Sequence, residues 1–340
     1  MTMRDELAAA RDPQAATNET GRHLPYPSGW FCLARSQEMT PGKVLTRRFM
    51  GEDIVLYRTR DGRPHAVHPY CPHLGAHLGA GGTVEGQNLV CPFHRFAFAP
   101  DGTCVGTPDG PPPRAHLQHH TISERNGFLF AWYAPDGTPP AWEIPGTAHA
   151  GVRAMAAWST EVRTYAQEII ENTLDYRHLP ILHHVAVEEL DPPQTQGPLL
   201  HMRLRLGPDR PHIVKQKILA DHTFLMAGLG YLRVELPLPS LGLVSYLWAI
   251  HTPTGPRNTR MLVAAACADI RKQRTTGASL PRRSLHRAFA HAMLRTAVSK
   301  IHQDLRIWNT KRYEPRPRLA ASDEAIGLFR HWARQFYPPP

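Results

Sequence analysis

Cys71-Pro72-His73-Leu74-Gly75-Ala76-His77, answered by Cys91-Pro92-Phe93-His94-Arg95-Phe96, is the part of this chain whose chemistry is most specific. Each arm offers one soft thiolate and one imidazole from a proline-containing turn, so four ligands can converge on a small centre without a long element having to bend. On chemistry alone the set fits tetrahedral zinc or an iron centre. Cys32, Cys104 and Cys267 fall outside the pattern and read as core residues. Five cysteines so thinly spread make no disulfide framework, which suits a cytoplasmic chain with a metal site.

Working outward, short apolar runs at Val44-Leu45, Phe49, and Ile54 to Tyr57 surround Gly51 and Asp53, followed by the turn Asp61-Gly62-Arg63-Pro64. Asn126-Gly127, ahead of Phe128-Leu129-Phe130-Ala131-Trp132-Tyr133, is a strong hairpin cue. These signals predict a small all-β domain over 24–140, preceded by a loose polar arm over 1–23. The proline-rich stretch from Pro135 to Pro145 divides it from a larger domain over 150–340. There the pattern predicts a helix from Ala166 to Leu179, interrupted by Pro180. Strands follow at Leu200–Leu206, Ile213–Leu219, Tyr231–Leu236, Val244–Ile250 and Met261–Val263. A final long helix carries Leu285, Phe289, Met293, Ala297, Ile301, Leu305 and Trp308 on one drifting face. The chain is therefore expected to be multidomain, with an α+β second domain whose helices pack on a curved antiparallel sheet.

The two Cys/His arms resemble, residue by residue, the ligand loops of Rieske proteins. The resemblance implies a 2Fe-2S cluster, with Cys71 and Cys91 on one iron and His73 and His94 on the other; imidazole ligation raises the potential of such a centre. The later segment Asp175-Tyr176-Arg177-His178-Leu179-Pro180-Ile181-Leu182-His183-His184 resembles the mononuclear-iron segment of Rieske non-haem iron oxygenases. By that resemblance His178 and His183 bind Fe(II), and Asp304, within Lys300 to Trp308, is the third ligand. Asp175 matches the carboxylate that bridges an iron ligand to a cluster histidine equivalent to His94 across a subunit boundary. Asn172 is a candidate supporting group. Read by spacing alone, Asp175 and His178 share a helical face, and Pro180 supplies a bend that brings His183 round. Two histidines and a carboxylate leave coordination positions open for dioxygen.

The resemblance further implies a START-like, helix-grip larger domain and an oxygenase (alpha) subunit assembled as a homotrimer. The C-terminal runs Ile307 to Tyr313 and Phe329 to Tyr337 look like the 3-ketosteroid 9α-hydroxylase and cholesterol 7-desaturase branches. The expected reaction is monooxygenation of a small hydrophobic, steroid- or sterol-like ring. Desaturation, oxidation of a non-steroid ring, and a non-enzymatic Rieske carrier remain alternatives. Leu225, Met226, Leu229, Tyr231, Leu232 and Trp248 are candidates for the pocket lining, and each also fits ordinary core packing.

Electrons are expected from NAD(P)H through a separate reductase, with or without a ferredoxin, because the chain has no glycine-rich βαβ fingerprint of its own. Its formal net charge of +10 suits an acidic donor protein. The basic residues are dispersed and lack the aromatic and glycine pattern of an RNA-reading module, so no nucleic-acid partner is expected. Nor does any run approach the length of apolar residues that a spanning helix needs.

Overall fold

The computed structural model describes residues 24–149, 152–208, 219–270 and 280–338. The expected arm over 1–23 and all but the last residue of the expected Ile213–Leu219 strand lie outside them.

The small domain is built from β1 (Gly29–Arg35), β2 (Val44–Phe49), β3 (Glu52–Arg58), β4 (Pro64–Val67), β5 (Thr83–Glu85), β6 (Asn88–Val90), β7 (Ala97–Phe98), β8 (Cys104–Gly106), β9 (His119–His120), β10 (Ile122–Arg125) and β11 (Phe128–Tyr133). They form three antiparallel sheets, ordered β1-β11-β10, β2-β3-β4-β9 and β5-β6-β7-β8. The Asn126-Gly127 cue is met: both residues take positive φ, 55° and 82°, as a two-residue hairpin matched to strand twist requires. They set Arg125 opposite Phe128.

The larger domain comprises β12 (Ala156–Val162), α1 (Ala166–Glu171), α2 (His178–Leu182), β13 (Val185–Gln196), β14 (Leu199–Pro208), β15 (Ala220–Ala227), β16 (Tyr231–Leu238), β17 (Leu243–Gly255), β18 (Asn258–Asp269), α3 (Leu280–Trp308) and α4 (Glu324–Ala333). Its seven strands are antiparallel in the order β12-β18-β17-β16-β15-β14-β13. Strand period two sorts β17 into two faces. Val244, Tyr246, Trp248 and Ile250 pack with Trp30, Phe128 and Phe130 of the small domain. On β18, Met261, Val263, Ala265 and Cys267 pack instead against Ala290, Leu294, Ile301 and Trp308 of α3. Burial on both sides explains why Met261 to Ala268 is an almost unbroken apolar run.

Two expectations are corrected. The sheet is open, with β12 and β13 as its edges and, among the described residues, no pairing that brings them together, so it is neither closed nor the curved sheet of a START-like helix grip. The small domain occupies one of its faces, while α3 covers the β12–β18 side of the other. The second correction concerns Pro180, which lies inside α2 rather than interrupting a helix. In the first turn a backbone N–H has no intrahelical partner, so proline costs little there. The break falls earlier, between Glu171 and His178. Asp175 therefore lies outside any helix, and its closeness to His178 comes from a turn.

Candidate metal centres and the apolar cavity between them and the sheet

The two Cys/His arms fold as matched loops at one end of the small domain. The Cys71 N–H donates to the carbonyl of Ala76, and the Gly75 N–H returns to Cys71. Likewise the Cys91 N–H donates to Phe96, and the Arg95 N–H returns to Cys91. The fifth position of each loop needs left-handed backbone; glycine supplies it at Gly75 (φ 73°), whereas Arg95 takes φ 57° and ties its guanidinium to Glu85 at 2.5 Å.

The loops bring the His73 and His94 rings to 4.9 Å between centroids, with His73 stacked on Phe96 at 4.3 Å. Cys71 and Cys91 are buried beneath them. The Cys71 thiol is pushed up to about 11, first by burial and then by hydrogen bonding with Cys91. A buried thiol held in that way resists ionisation until a cation takes the place of its proton, the behaviour expected of a thiolate metal ligand. The matched loops thus set the two histidines beside each other and the two cysteines beside each other. His77 turns elsewhere, 3.3 Å from Asp53, and all five cysteines are free and buried.

In the larger domain His178, His183 and Asp304 bring one ligand atom each within 4.8 Å of one another. Asp304 lies on α3, and the two histidines are the first residue of α2 and the residue that caps its end. The hydrogen bonds fix both tautomers. His178 donates from Nδ1 to the carbonyl of Asp175 at 2.5 Å, and its Nε2 faces the Asn172 amide at 3.2 Å. His183 donates from Nδ1 to Gln303 Oε1 at 2.7 Å, which turns Nε2 to Asp304 Oδ1, 3.2 Å away. A bare nitrogen against a carboxylate oxygen is repulsive without a cation or a proton between them. Burial works to lower the His183 pKa, but its hydrogen bonds to Asp304 and Gln303 and the Asp304 charge outweigh it and hold the pKa above the ordinary value. The donor set therefore fits a divalent, non-haem iron. Gln303, which orients His183, was missed by sequence reasoning; its place beside Asp304 is the one signal that pointed to it.

Asp175 keeps its carboxylate 3.6 Å from His178 Nδ1 with its side chain 35% exposed, so the group faces both the histidine and the outside. The hydrogen bond from His178 is the main cause holding its pKa below the usual carboxylate range, against the opposing effect of burial. His184 is exposed, with φ 52°.

Above the two histidines lies a cavity of about 330 Å³. Its floor is one face of the sheet, including Leu204, Phe224, Val234, Leu247 and Ala249, and α3 closes it with Met293, Ala297 and Ile301. Of the six lining candidates, Leu232 alone lines it. Tyr231 and Trp248 face the small domain, and Leu225, Met226 and Leu229 are also buried outside the lining. An alternating strand reveals two faces, and nothing local says which of two buried faces meets a cavity.

The fold and these centres define an oxygenase with a Rieske cluster domain joined to a mononuclear-iron domain, and the chain belongs to that family. The Rieske 2Fe-2S domain model matches residues 29–121, and the model of the 3-ketosteroid 9α-hydroxylase C-terminal domain matches residues 131–337. Within the family the chain is related to the 3-ketosteroid 9α-hydroxylase and cholesterol 7-desaturase branch. It is 31% identical to cholesterol 7-desaturase of Bombyx mori, over 95% of this chain and 72% of that protein. To the probable 3-ketosteroid-9-alpha-monooxygenase oxygenase component of Rhodococcus rhodochrous it is 25% identical, over 92% and 80%.

Among solved structures, apo dicamba monooxygenase superposes with a TM-score of 0.67 at 17% identity, over 93% of this chain and 98% of that one. NdmA of Pseudomonas putida CBB5, a QL mutant with theobromine, gives 0.65 at 18%, over 90% and 89%. These share the fold. The protein is a Rieske-type monooxygenase of the EC 1.14 class, and the carrier and zinc-protein alternatives fall away. Among the described residues no helix is long and apolar enough to cross a membrane.

Proposed function

We propose that the protein hydroxylates a steroid- or sterol-like fused ring with dioxygen, at Fe(II) held by His178, His183 and Asp304. The observation that carries this reading is the cavity: nearly all its wall is apolar, and His178 and His183 stand in it. A cavity of about 330 Å³ falls within the range that encloses small molecules, and an apolar wall binds a ring by removing it from water. When bound, the iron supplies the activation of dioxygen. The chain's own residues orient the ligands, exclude water and hold one C–H bond toward the metal.

On this reading Cys71, His73, Cys91 and His94 hold the 2Fe-2S cluster, within a domain over 24–140 that hands electrons to the 150–340 domain of a neighbouring subunit. Asp175 carries the crossing, its carboxylate half turned to the outside. Asn172 supports His178. The exposed Tyr70, Leu74 and Phe93 beside the cluster loops, 50%, 66% and 62% accessible, supply an apolar face for that contact. A closed homotrimer satisfies every such face. Electrons come from NAD(P)H through a separate reductase, with or without a ferredoxin. The remaining thiols, Cys32, Cys104 and Cys267, are free and buried, which suits a reducing, cytoplasmic setting.

Desaturation is the second reading, favoured by the name of the Bombyx mori relative. Product mass analysis after turnover with 3-ketosteroids and with cholesterol tests both. Gain of one oxygen supports hydroxylation, loss of two hydrogens supports desaturation, and turnover confined to non-steroid aromatics overturns both.

Asp175→Asn is expected to keep both metals and slow single-turnover transfer from cluster to iron by about tenfold or more, because a hydrogen bond to a charged group is worth roughly 1.5–3 kcal/mol. Stopped-flow bleaching of the cluster measures it. An unchanged rate rejects the bridging role.

A further inference from the structure

Most polar groups around the cavity have clear employment. His178 and His183 are oriented by Asp175 and Gln303, His222 is tied through Nδ1 to the carbonyl of Ala220 at 2.8 Å, and the Lys300 ammonium donates to the carbonyl of His183 at 2.5 Å. His251 differs. It stands on β17 in the same alternating row as Leu247 and Ala249, lines the cavity, and is 1% exposed. Among the described residues neither of its ring nitrogens has a hydrogen-bond partner.

An orphaned buried polar group costs about 1–3 kcal/mol, and such groups are rare enough to call for an explanation. Burial drives the His251 pKa down to about 3, so the ring is neutral and presents one N–H and one bare nitrogen. Its backbone is conventional strand, paired with Met261 on β18, so the side chain is not displaced by a distorted ladder.

The chain's course places this imidazole toward the iron end. Arg282, near the start of α3, pairs with Asp269, which lies opposite Leu243 at the start of β17. Lys311, just past the end of α3, accepts from Arg257 in the turn after β17. Helix and strand therefore run side by side, and His251 lies toward the same end of the cavity as Asp304.

We propose that His251 is a substrate-positioning residue, one that holds an uncharged oxygen substituent, a ketone or hydroxyl, on an otherwise apolar ring. This rests on the fused-ring reading above. A ketone takes the N–H, and a hydroxyl can both accept from the N–H and donate to the bare nitrogen. At His251 a carboxylate is disfavoured, because a buried anion needs more than a neutral imidazole to offset its lost hydration, and Lys300, the only lining residue with a formal charge among the described ones, is turned to the carbonyl of His183. The oxygen would act as a pivot that sets which ring carbon reaches the metal.

Equilibrium dialysis against the intact, iron-loaded protein, without reductant, tests this without turnover. The probes are cholesterol, the corresponding 3-ketone, and the hydrocarbon lacking the oxygen. Wild type is expected to bind both oxygenated probes about tenfold more tightly than the hydrocarbon, and His251→Phe to bind all three about equally. His251→Leu serves if the phenylalanine variant does not fold.

Discrimination that survives in the variant, or is missing from wild type, overturns the assignment. If wild type binds none of the three, the steroid reading fails, and 1-naphthol against naphthalene becomes the deciding pair. Preference for the naphthol that vanishes in the variant supports His251 as the oxygen-holding group; any other result overturns it.

Discussion

Asp304→Ala is expected to yield a protein that keeps its cluster absorbance and loses its mononuclear iron, with turnover falling by more than about 100-fold. That figure is the upper end of what removing a group that merely supports a metal ligand costs, and Asp304 is assigned as a ligand itself. Among the described residues the carboxylate is also the only anion set against His183 Nε2, 3.2 Å away, so its removal eliminates the attraction for a divalent ion as well as one bond. Cys71→Ala is the reciprocal experiment: visible absorbance is lost while iron at the histidines remains. Metal analysis and the visible spectrum of both variants, purified anaerobically, read the two centres independently. Loss of both centres in either variant would mean that the sites are not separate, and full turnover in Asp304→Ala would remove that residue from the iron.

The legible parts of this molecule were those whose chemistry is local. Two Cys/His arms with matched turns could be read as one centre because each arm carries its ligands within a single loop. His178 and His183 are legible by resemblance, but they meet through a short helix that begins at His178 and contains Pro180, not through a bend at that proline. A proline within a helical pattern signals an interruption only in the helix interior, and the sequence did not reveal that a new helix begins at His178. The open sheet escaped for a different reason. Strand periodicity reports which residues alternate, and it contains no information about where the outer edges of a seven-stranded sheet end up. His251 escaped because a histidine amid Leu247, Ala249 and Ile250 looks like any other buried strand residue until the opposite wall is known. Long-range placement was supplied by packing of α3 on one face and Phe128 and Phe130 on the other.

Packing also holds α1, the helix that leads into the iron segment, and Arg330→Ala is expected to show how strongly. Arg330 on α4 grips Glu171 with two hydrogen bonds, at 2.6 and 2.9 Å, and gives a third to the carbonyl of Glu314 at 2.6 Å. Its guanidinium also lies 5.3 Å from the centre of the Tyr313 ring. Both side chains of the ion pair are largely out of water, 15% and 11% exposed, and Glu171 ends α1 immediately before Asn172. Removing only the cation strands a buried carboxylate, a change that typically costs about 3–5 kcal/mol. For a chain of this size each kcal/mol moves the melting temperature by roughly 2–4 °C or less, so a fall of several degrees is expected in calorimetry. Adding Glu171→Gln to the same variant should recover part of that loss, because the stranded charge is then gone. If Arg330→Ala melts with wild type, the pair is merely a surface contact; if it melts early and also sheds the mononuclear iron at working temperature, α1 is the brace that holds Asn172 and His178 in register.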